Sequence, residues 1–375
     1  MKKLVVPGLS GRPFLCQFVD YIRSTASTDP IDPKYFFTEK HKILSGQEHL
    51  FTKQILIFTR KLDRETGLIG AELWSRQIDY VRLNIDDVPR LIQLAYTLNQ
   101  NSDLNIEFSI RGQKLDVARI SAVVLRQFEP KLLKFSGNNL DRTFALEQWE
   151  DALQMLQHNL KCQWISNPDS IKEASDRIRQ LQFAQKLDLD IPATLITNDS
   201  SAAREFYYMH NRNIILKALH HHGVEVGRKL YSIYTHRVTE QELSKLDDLV
   251  YAPCILQQRL TKKSELRVTV VGDQVFAAQL NMPNNPGGYD DIHRLLSSSN
   301  FRITVYKNLD NSISDRCIKL VKLLGLKYAA IDFVIDESNH PIFLEVNPVG
   351  DWYWIESKTG LPITKSIADL IEKII

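Results

Sequence analysis

The length, composition and charge of the chain exclude several classes of protein. Its 375 residues exceed one ordinary hydrophobic core, while 43% hydrophobic residues, 25% charged residues and a formal net charge of +2 suit a globular protein without a nucleic-acid partner. The 4 cysteines are scattered without C-x-x-C spacing, no run of about 18 apolar residues predicts a membrane span, and Pro7 and Gly8 interrupt any signal-peptide core, so we expect a cytoplasmic protein with no membrane partner.

The first 50 residues differ from the rest of the chain. Phe14, Phe18, Tyr21 and Ile22 recur at helical spacing and predict a short amphipathic helix. The polar, turn-rich stretch STASTDPIDP follows this helix and predicts a linker. We therefore expect residues 1–50 to be an extension of the folded domains.

Between residues 51 and 165, apolar runs of strand length alternate with helical patterns. This alternation is typical of a small α/β domain. The stretch CQWISNPDS combines a strand, a turn and a helix start, and it predicts a domain boundary between residues 165 and 166. Strands are predicted at 53–60, 79–86, 104–110 and 120–126, and a helix at 145–160.

Residues 166–375 predict a second α/β domain, in which several strands have the pattern of antiparallel pairing. The segment VVGDQVFAA predicts a hairpin with Gly272 and Asp273 at its turn. Helices are predicted at 172–187, 201–210 and 315–325, and strands at 191–197, 213–219, 228–238, 254–260, 265–273, 274–280, 328–336 and 341–347.

Three oxygen-bearing side chains lie in the last two predicted strands. Glu345 and Asn347 alternate with apolar residues and therefore share one face of their strand. A short turn connects this strand to the one that contains Asp332, so a hairpin would bring the three together. Two close carboxylates repel each other unless a cation lies between them, which favours Mg²⁺. The alternative is a surface hairpin whose acids are solvated.

Two cationic side chains also lie on predicted strands. A lysine at position 217, in the apolar strand NIILKAL, is costly to bury without an anionic partner, and Gly223 and Gly227 follow in a loop that could cover phosphates. An edge strand and an ordinary hairpin are the alternative, and the adjacent histidines at 220–222 do not form a metal site. Arg267 could grip a phosphate or a carboxylate, or it could form a salt bridge with Glu265.

In order, these segments resemble the ATP and magnesium apparatus of ATP-grasp ligases. The series comprises a strand lysine, a glycine-containing loop, QQRL, ELRVTVVGD, an aspartate and the triplet Glu-x-Asn. The resemblance is greater to the microviridin-type (graspetide) branch, which matures ribosomally made peptides. WISNPDSIKEASDRIRQLQFAQKLDLDIPATLITND looks like the start of its ATP-grasp domain, and FLEVNPVGDWYWIESKTGLPITKSIADLI looks like its end. Residues 160–375 carry the specific match, and 51–159 match more loosely.

The resemblance implies an α/β (α+β) architecture, in which an ATP-grasp fold follows an N-terminal α/β pre-ATP-grasp domain, with ATP and Mg²⁺ as cofactors. It implies that Asp332, Glu345 and Asn347 hold magnesium, and that Arg267 is the catalytic residue that faces the reacting groups. It further implies cofactor-binding roles for Lys217 and Arg177 at the phosphates, for Gln257, Gln258, Arg259 and Leu260 along the adenine-side hinge, and for Glu265 near the ribose.

The function that the resemblance implies is an ATP-dependent ligase acting through an acyl phosphate. Its partner is a precursor peptide with a leader and a core, in which Asp or Glu side chains are joined to Ser or Thr hydroxyls or to Lys amines. Such ligases are often dimers, so the sequence leaves a homodimer open. The alternatives are a carboxylate–amine ligase that resembles glutathione synthetase or the ribosomal-protein glutamate ligases, and a nucleotide-binding module without catalysis.

Some segments depart from this pattern or remain without a role. YDDIHRLL stands where many of these ligases have Asp-Trp-Arg, and Asp291 and Arg294 are the nearest equivalents for substrate contacts. In the family pattern a tryptophan is expected directly before Arg126, and this chain has Leu125 there. Trp352 and Trp354 are expected to pack in a core.

The N-terminal helix suggests a further hypothesis. Pro13, Phe14, Phe18 and Val19 resemble the helix of a microviridin-type leader, so residues 1–50 could act as a tethered leader in cis. A helix packed for stability, or a tail without a role, is the alternative.

Overall fold

The computed structural model describes residues 53–128, 139–219, 223–226, 229–232, 234–281, 290 and 301–375, and the structural statements below concern these residues. Several predictions lie outside them: the helix, linker and leader role of residues 1–50, the histidines at 220–222, and the substrate contacts of Asp291 and Arg294.

The N-terminal part is a small α/β unit, as the alternation of strands and helices predicted. Its elements are β1 (Gln54–Thr59), α1 (Arg64–Ser75), β2 (Tyr80–Asn84), a 3₁₀ turn (Ile85–Asp87), β3 (Ile92–Thr97), β4 (Asn105–Ile110), β5 (Gln113–Leu115), a 3₁₀ turn (Val117–Arg119), β6 (Ile120–Leu125), α2 (Asn139–Asn159) and β7 (Gln163–Ile165). A parallel sheet with the order β2-β1-β6-β7 lies at the centre. Helix α1 covers one face of this sheet, and α2 and the antiparallel sheet β3-β4-β5 cover the other. Burial on both faces explains why β1 and β6 are nearly all apolar.

A four-stranded antiparallel sheet, with the order β12-β9-β13-β8, forms a separate small lobe. Two helices precede this lobe in the chain, α3 (Pro168–Ala174) and α4 (Arg177–Lys186). The elements that follow are β8 (Thr194–Thr197), α5 (Ser200–Met209), β9 (Ile214–Lys217), the hairpin strands β10 (Gly223–Val226) and β11 (Lys229–Ser232), β12 (His236–Arg237), a 3₁₀ helix (Glu240–Tyr251) and β13 (Cys254–Gln258). Helix α5 and the 3₁₀ helix pack on one face of the sheet, around Tyr207 and Leu246.

A five-stranded antiparallel sheet, with the order β16-β15-β14-β17-β18, completes the fold. Its strands are β14 (Ser264–Val271), β15 (Gln274–Asn281), β16 (Arg302–Val305), β17 (Tyr328–Ile335) and β18 (Pro341–Asn347), with helices α6 (Asn311–Leu323), α7 (Tyr353–Thr359) and α8 (Ile363–Ile374). The predicted β14–β15 hairpin is confirmed, and Gly272 at its turn has a φ of 58°, which favours glycine. One core is shared by this sheet, α8 and the N-terminal parallel sheet.

Several parts of the sequence fold differently from the prediction. The strand predicted at 228–238 is divided into β11 and β12, which belong to different sheets. The helix predicted at 172–187 is divided into α3 and α4, because the Asp176 side chain accepts hydrogen bonds from the amides of Ile178 and Arg179 and starts a new helix. Strand β3 was not predicted, although IQLAYT alternates as a one-sided strand does. Among the described helices, none has both the length and the apolar character needed to cross a membrane.

Candidate active site

Seven of the eleven described residues that were predicted to carry chemistry line a cleft between the small lobe and the five-stranded sheet, and Gln258, Arg259, Leu260 and Asn347 do not. The cleft is lined by Arg177, Leu181, Thr194, Lys217, Ala218, Thr235, Ile255, Gln257, Glu265, Arg267, Leu280, Asp290, Asp332, Leu344, Glu345 and Trp354. Two further depressions, of about 780 Å³ beside α2 and about 410 Å³ beside β3 and β4, are lined by none of the predicted site residues. The chemistry of the lining residues therefore favours the cleft.

Arg267, Asp332 and Glu345 lie side by side on three neighbouring strands. Arg267 of β14 is the register partner of Asp332 of β17, and Asp332 is the register partner of Glu345 of β18. Asn347 lies two residues farther along β18, and its Nδ2 donates to Asp332 Oδ2 at 2.8 Å and to Glu345 Oε1 at 3.4 Å. The hairpin predicted from the sequence thus places the two carboxylates and the carboxamide together.

A β-bulge in β18 adjusts the direction of the acidic side chains. Asp332 pairs with Glu345, whereas the next residue, Phe333, pairs with Phe343, so Leu344 is the additional residue. A bulge of this kind twists the strand locally and changes where its side chains point. As a result both Leu344 and Glu345 line the cleft.

Buried or partly buried arginines neutralise both carboxylates. Arg267 Nη1 donates to Asp332 Oδ1 at 2.9 Å and to Oδ2 at 2.8 Å, and Arg177 Nη1 lies 2.8 Å from Glu345 Oε2. Burial opposes the charged form of Arg267, but the charge of Asp332 and the hydrogen bonds to it outweigh burial and raise the pKa of this arginine. Glu265 instead pairs with Lys262, so the salt bridge considered between Glu265 and Arg267 is not formed.

Helix α4 holds the backbone of β18 through Gln180, which is 1% exposed. Its Oε1 accepts from the Val346 amide at 2.9 Å, and its Nε2 donates to the Val346 carbonyl at 2.9 Å and to the Ala174 carbonyl at 2.6 Å. Because Val346 lies between Glu345 and Asn347, these bonds fix the segment that presents both side chains. Gln180 was not among the site residues predicted from the sequence.

A chain of hydrogen bonds fixes Lys217 on the opposite wall of the cleft. Lys217 Nζ donates to Gln257 Oε1 at 3.0 Å, and Gln257 Nε2 donates to Thr194 Oγ1 at 2.9 Å. Three adjacent strands of the small lobe, β9, β13 and β8, supply these residues. The prediction that Lys217 stands on a strand is confirmed, and its ammonium group lines the same cleft as the carboxylates.

The end of β13 and the two residues after it have a more varied arrangement than predicted. Of the four residues QQRL, Gln257 lines the cleft, whereas the Gln258 side chain is exposed. The Gln258 amide donates to the Ala193 carbonyl at 2.9 Å and the Arg259 amide to the Asn213 carbonyl at 3.0 Å. Arg259 Nε also donates to Asp290 Oδ1 at 2.6 Å. Leu260 is partly buried in the same connection between the small lobe and β14.

The two tryptophans after β18 have different environments. Trp352 is 1% exposed and packs in the core shared with the N-terminal sheet, as predicted. Trp354 is partly buried, packs against the edge of the same core and also lines the cleft, with the guanidinium carbon of Arg267 5.9 Å from its ring centroid. The prediction of core packing for Trp354 is therefore confirmed in part, and its place in the cleft was not predicted; helix α7 begins between the two residues and gives them different directions.

Within the described residues, no group of three or more His, Cys, Asp or Glu side chains could hold a metal ion. The acidic cluster combines two carboxylates with one carboxamide, so only two of its three side chains are of these types. Oxygen donors of these kinds are nevertheless the ligands that Mg²⁺ takes in proteins.

Comparisons with known proteins show that the chain shares its sequence pattern and its fold with ATP-grasp proteins. Residues 174–371, just over half of the chain, match the model of the RimK-like ATP-grasp domain. The crystal structure of macrocyclase MdnC bound with precursor peptide MdnA, from Microcystis aeruginosa MRC, is similar with a TM-score of 0.76 and 26% identity, over 85% of this chain and 99% of that chain. A Chryseobacterium gregarium RiPP-associated ATP-grasp ligase, in complex with ADP and a leader and core peptide, has a similar fold with a TM-score of 0.74 and 24% identity, over 86% and 97% of the two chains.

Curated relatives match a smaller part of the chain. A protein of Shewanella halifaxensis (strain HAW-EB4), named a probable alpha-L-glutamate ligase, is 26% identical over 220 residues, which are 56% of this chain and 44% of that protein. A protein of Chromohalobacter salexigens with the same name is 26% identical over 213 residues, which are 56% of this chain and 67% of that protein. The chain thus spans less than half of the length of the first of these relatives.

Proposed function

Because the chain belongs to the RimK-like ATP-grasp family, we propose that it is an ADP-forming ligase that crosslinks side chains of a ribosomally made precursor peptide. The ATP-grasp fold and the resemblance to the peptide-maturing ligases are confirmed by the matches above. The observation that carries the proposal is the meeting of Lys217, Arg267 and the acidic pair Asp332 and Glu345 in one cleft. The reaction must bring an anionic nucleotide and an anionic carboxylate together, and such a cleft supplies charge for both.

The acidic cluster fits Mg²⁺ by the chemistry of its donors. Asp332 and Glu345 offer carboxylate oxygens, and rotation of the Asn347 carboxamide exchanges its nitrogen for its oxygen. We propose these three residues as the magnesium ligands. When bound, the ion neutralises phosphate charge during phosphoryl transfer. Arg267 and Arg177 already bind the same carboxylates, so they keep the cluster neutralised without the ion.

The cations of the cleft are proposed to act on ATP and on the acyl group. Lys217 and Arg177 bind the phosphates, and the Gln257 carboxamide orients the Lys217 ammonium. The substrate carboxylate attacks the γ-phosphorus, and ADP leaves. A hydroxyl or an amine then attacks the carbonyl carbon of the acyl phosphate, loses its proton, and inorganic phosphate leaves. Arg267 stabilises the oxyanion that develops between these two events.

The connection from β13 to β14 is proposed to hold the nucleoside. Gln258, Arg259 and Leu260 stay candidates for the adenine side, although two of their amides are engaged in backbone hydrogen bonds. Glu265 is the candidate for the ribose, and its pairing with Lys262 fixes its carboxylate. Asp291 and Arg294 stay candidates for substrate contacts.

A second candidate is the ATP-dependent addition of glutamate to a protein or a small molecule. It is favoured by the curated relatives, which are 26% identical over about the same domain. The peptide-crosslinking reading is preferred because the similarity to the macrocyclase extends over 85% of this chain and includes the N-terminal part.

Mass spectrometry after incubation with MgATP separates the two candidates. With a leader-bearing precursor peptide, crosslinking removes one water mass per bond and forms one ADP per bond. Glutamate addition instead increases the acceptor mass by one glutamyl residue. Arg267→Lys is expected to lower turnover about 10²–10³-fold in either case, because a lysine does not supply the planar pair of donors. If ATP binds but ADP never forms with any carboxylate substrate, the chain is a nucleotide-binding module.

A further inference from the structure

A short loop, residues 348–351, connects the C-terminal end of β18, which carries Glu345 and Asn347, with helix α7. This loop lies directly against Arg267. A Cβ atom added to Gly350 would lie 2.7 Å from Arg267 Nη2 and 2.8 Å from the Ala330 Cβ. The carbonyl oxygen of Asp351 lies 3.5 Å from the same Nη2 and also accepts a hydrogen bond from the Trp354 indole at 3.1 Å. The 348–351 loop is therefore the wall that limits where the Arg267 guanidinium can stand.

Arg126, from the N-terminal sheet, holds this loop from the other side. Its Nη1 donates to the Val349 carbonyl at 2.9 Å and to the Gly350 carbonyl at 3.2 Å, and its Nη2 donates to Asp351 Oδ1 at 2.8 Å. Tyr328 of β17 adds a hydrogen bond from its hydroxyl to the Gly350 carbonyl at 2.6 Å. The carbonyls of Val349 and Gly350 thus point at Arg126, while the loop backbone at Gly350 packs on Arg267.

Arg126 is itself buried and fixed by its neighbours. It follows β6 directly, is 4% exposed, and its guanidinium carbon lies 4.5 Å from the centroid of the Trp352 ring. Its Nε lies 3.5 Å from Asp63 Oδ2, and its Nη2 lies 3.9 Å from Glu65 Oε2. Burial opposes its charge, but Asp63 and the other nearby groups outweigh burial and raise its pKa. A permanently charged group in this position keeps the loop carbonyls in place at every physiological pH.

We propose that Arg126 is a positioning residue, which sets the place of the Arg267 guanidinium by holding the 348–351 loop. The inference rests on the proposed function for the catalytic role of Arg267, but the mechanical link concerns this chain alone. Among the contacts of the described residues, those that connect Arg126 with the cleft pass through this loop. The N-terminal sheet, outside the matched ATP-grasp residues 174–371, thereby becomes part of the machinery that orients the reacting groups.

The charge state and the shape of arginine are both needed for this role. One guanidinium reaches three acceptors, Val349 O, Gly350 O and Asp351 Oδ1, from two nitrogens. A lysine ammonium retains the charge but cannot reach all three acceptors at once. Arg126→Lys should therefore loosen the loop without leaving Asp63 and Glu65 as unneutralised buried acids.

The first test uses the nucleotide-free protein and so does not depend on the proposed function. The Nε–H groups of Arg126 and Arg267 are buried without a hydrogen-bond partner among the described atoms, so their ¹⁵N NMR signals should be protected from solvent exchange. Arg267→Lys assigns the signal of Arg267. We expect Arg126→Lys and Tyr328→Phe to shift this signal or to speed its exchange.

Arg76→Lys is the matched control. Arg76 pairs with Glu72, Asp369 and Glu372 and ties α1 to α8, but it does not contact the 348–351 loop. It is expected to lower the stability and to leave the Arg267 signal unchanged. An unchanged Arg267 signal in Arg126→Lys, or an equal change in Arg76→Lys, overturns the proposal.

The second test measures crosslinking of a precursor peptide with a double-mutant cycle. We expect Arg126→Lys to lower kcat roughly 10²-fold through misplacement of the reacting groups, with the KM for ATP nearly unchanged. The double variant with Arg267→Lys should be no slower than Arg267→Lys alone, because both changes remove the same function. Multiplicative losses overturn the positioning role. If the unaltered protein crosslinks no peptide, the proposed function fails, and the NMR result still decides the link between Arg126 and Arg267.

Discussion

Replacement of Gly350 with alanine tests how closely the 348–351 loop packs against Arg267 and β17. The added Cβ would lie 2.8 Å from the Ala330 Cβ and 3.2 Å from the Asn347 Cβ, whereas carbon atoms at ordinary contact stand about 3.5–4.0 Å apart. Ala330 is fully buried on β17, between β14 and β18, and cannot withdraw. The backbone of the 348–351 loop must therefore move by roughly 1 Å, so it leaves the position in which Arg126 and Tyr328 bind it.

We expect this movement to destabilise the protein by about 1–3 kcal/mol and to lower turnover by roughly 10²-fold. Urea unfolding and ADP formation with a precursor peptide measure the two effects. Gly67→Ala is the control, since a Cβ at Gly67, inside α1, meets no atom within 4 Å and should stabilise the helix by about 0.5–1 kcal/mol. Wild-type stability and turnover in Gly350→Ala would refute the close packing inferred here.

Three further substitutions test separate parts of the site. Burial, the nearby charge of Asp351 and other acids raise the pKa of Glu65 from 4.5 to about 7. The folded protein therefore binds the Glu65 proton more tightly than the unfolded chain does, and this difference stabilises the fold by on the order of 3 kcal/mol at low pH. The stabilisation is lost as the pH rises from about 4.5 to 7. Glu65→Gln should flatten this decline in thermal unfolding measured between pH 5 and 8, and an unchanged pH profile contradicts the assignment. Gln180→Leu leaves the Val346 amide without its partner and should cost about 1–3 kcal/mol in urea unfolding, with weaker MgATP binding, whereas wild-type values would show that α4 does not hold β18. Asp332→Asn should raise the Mg²⁺ concentration needed for half-maximal turnover more than about tenfold, and an unchanged requirement argues against Asp332 as a ligand.

Local patterns were enough to predict the acidic end of the cleft. Strand alternation places Glu345 and Asn347 on one face, and a short turn leaves Asp332 opposite them, so no distant contact is needed. The partner of Arg267 was harder to predict, because Glu265 is two residues away and Asp332 is 65 residues away. The pairing of β14 with β17 decides between them, and a single sequence does not reveal which strands become neighbours.

The positions of Trp354 and Gln180 depended on the same long-range order. Two tryptophans in D-W-Y-W have the same local signal, yet Trp352 is buried inside the shared core, whereas Trp354 is partly buried at its edge and also lines the cleft. Gln180 looks like an ordinary polar residue of an amphipathic helix, although its carboxamide satisfies both backbone groups of Val346. Buried polar groups must find partners, but the identity of those partners is set by which elements pack together.

The sequence by itself determined many of the strands and helices and the acidic hairpin, because these depend on residue periodicity over a few positions. The order of the ATP-grasp motifs came instead from the resemblance of those segments to a known family. The tertiary structure alone decided that Arg126, more than 200 residues before the 348–351 loop, binds its carbonyls. The physical reason is that a buried arginine must be matched by acceptors wherever the packing of the two sheets delivers them, and that packing is a property of the whole chain.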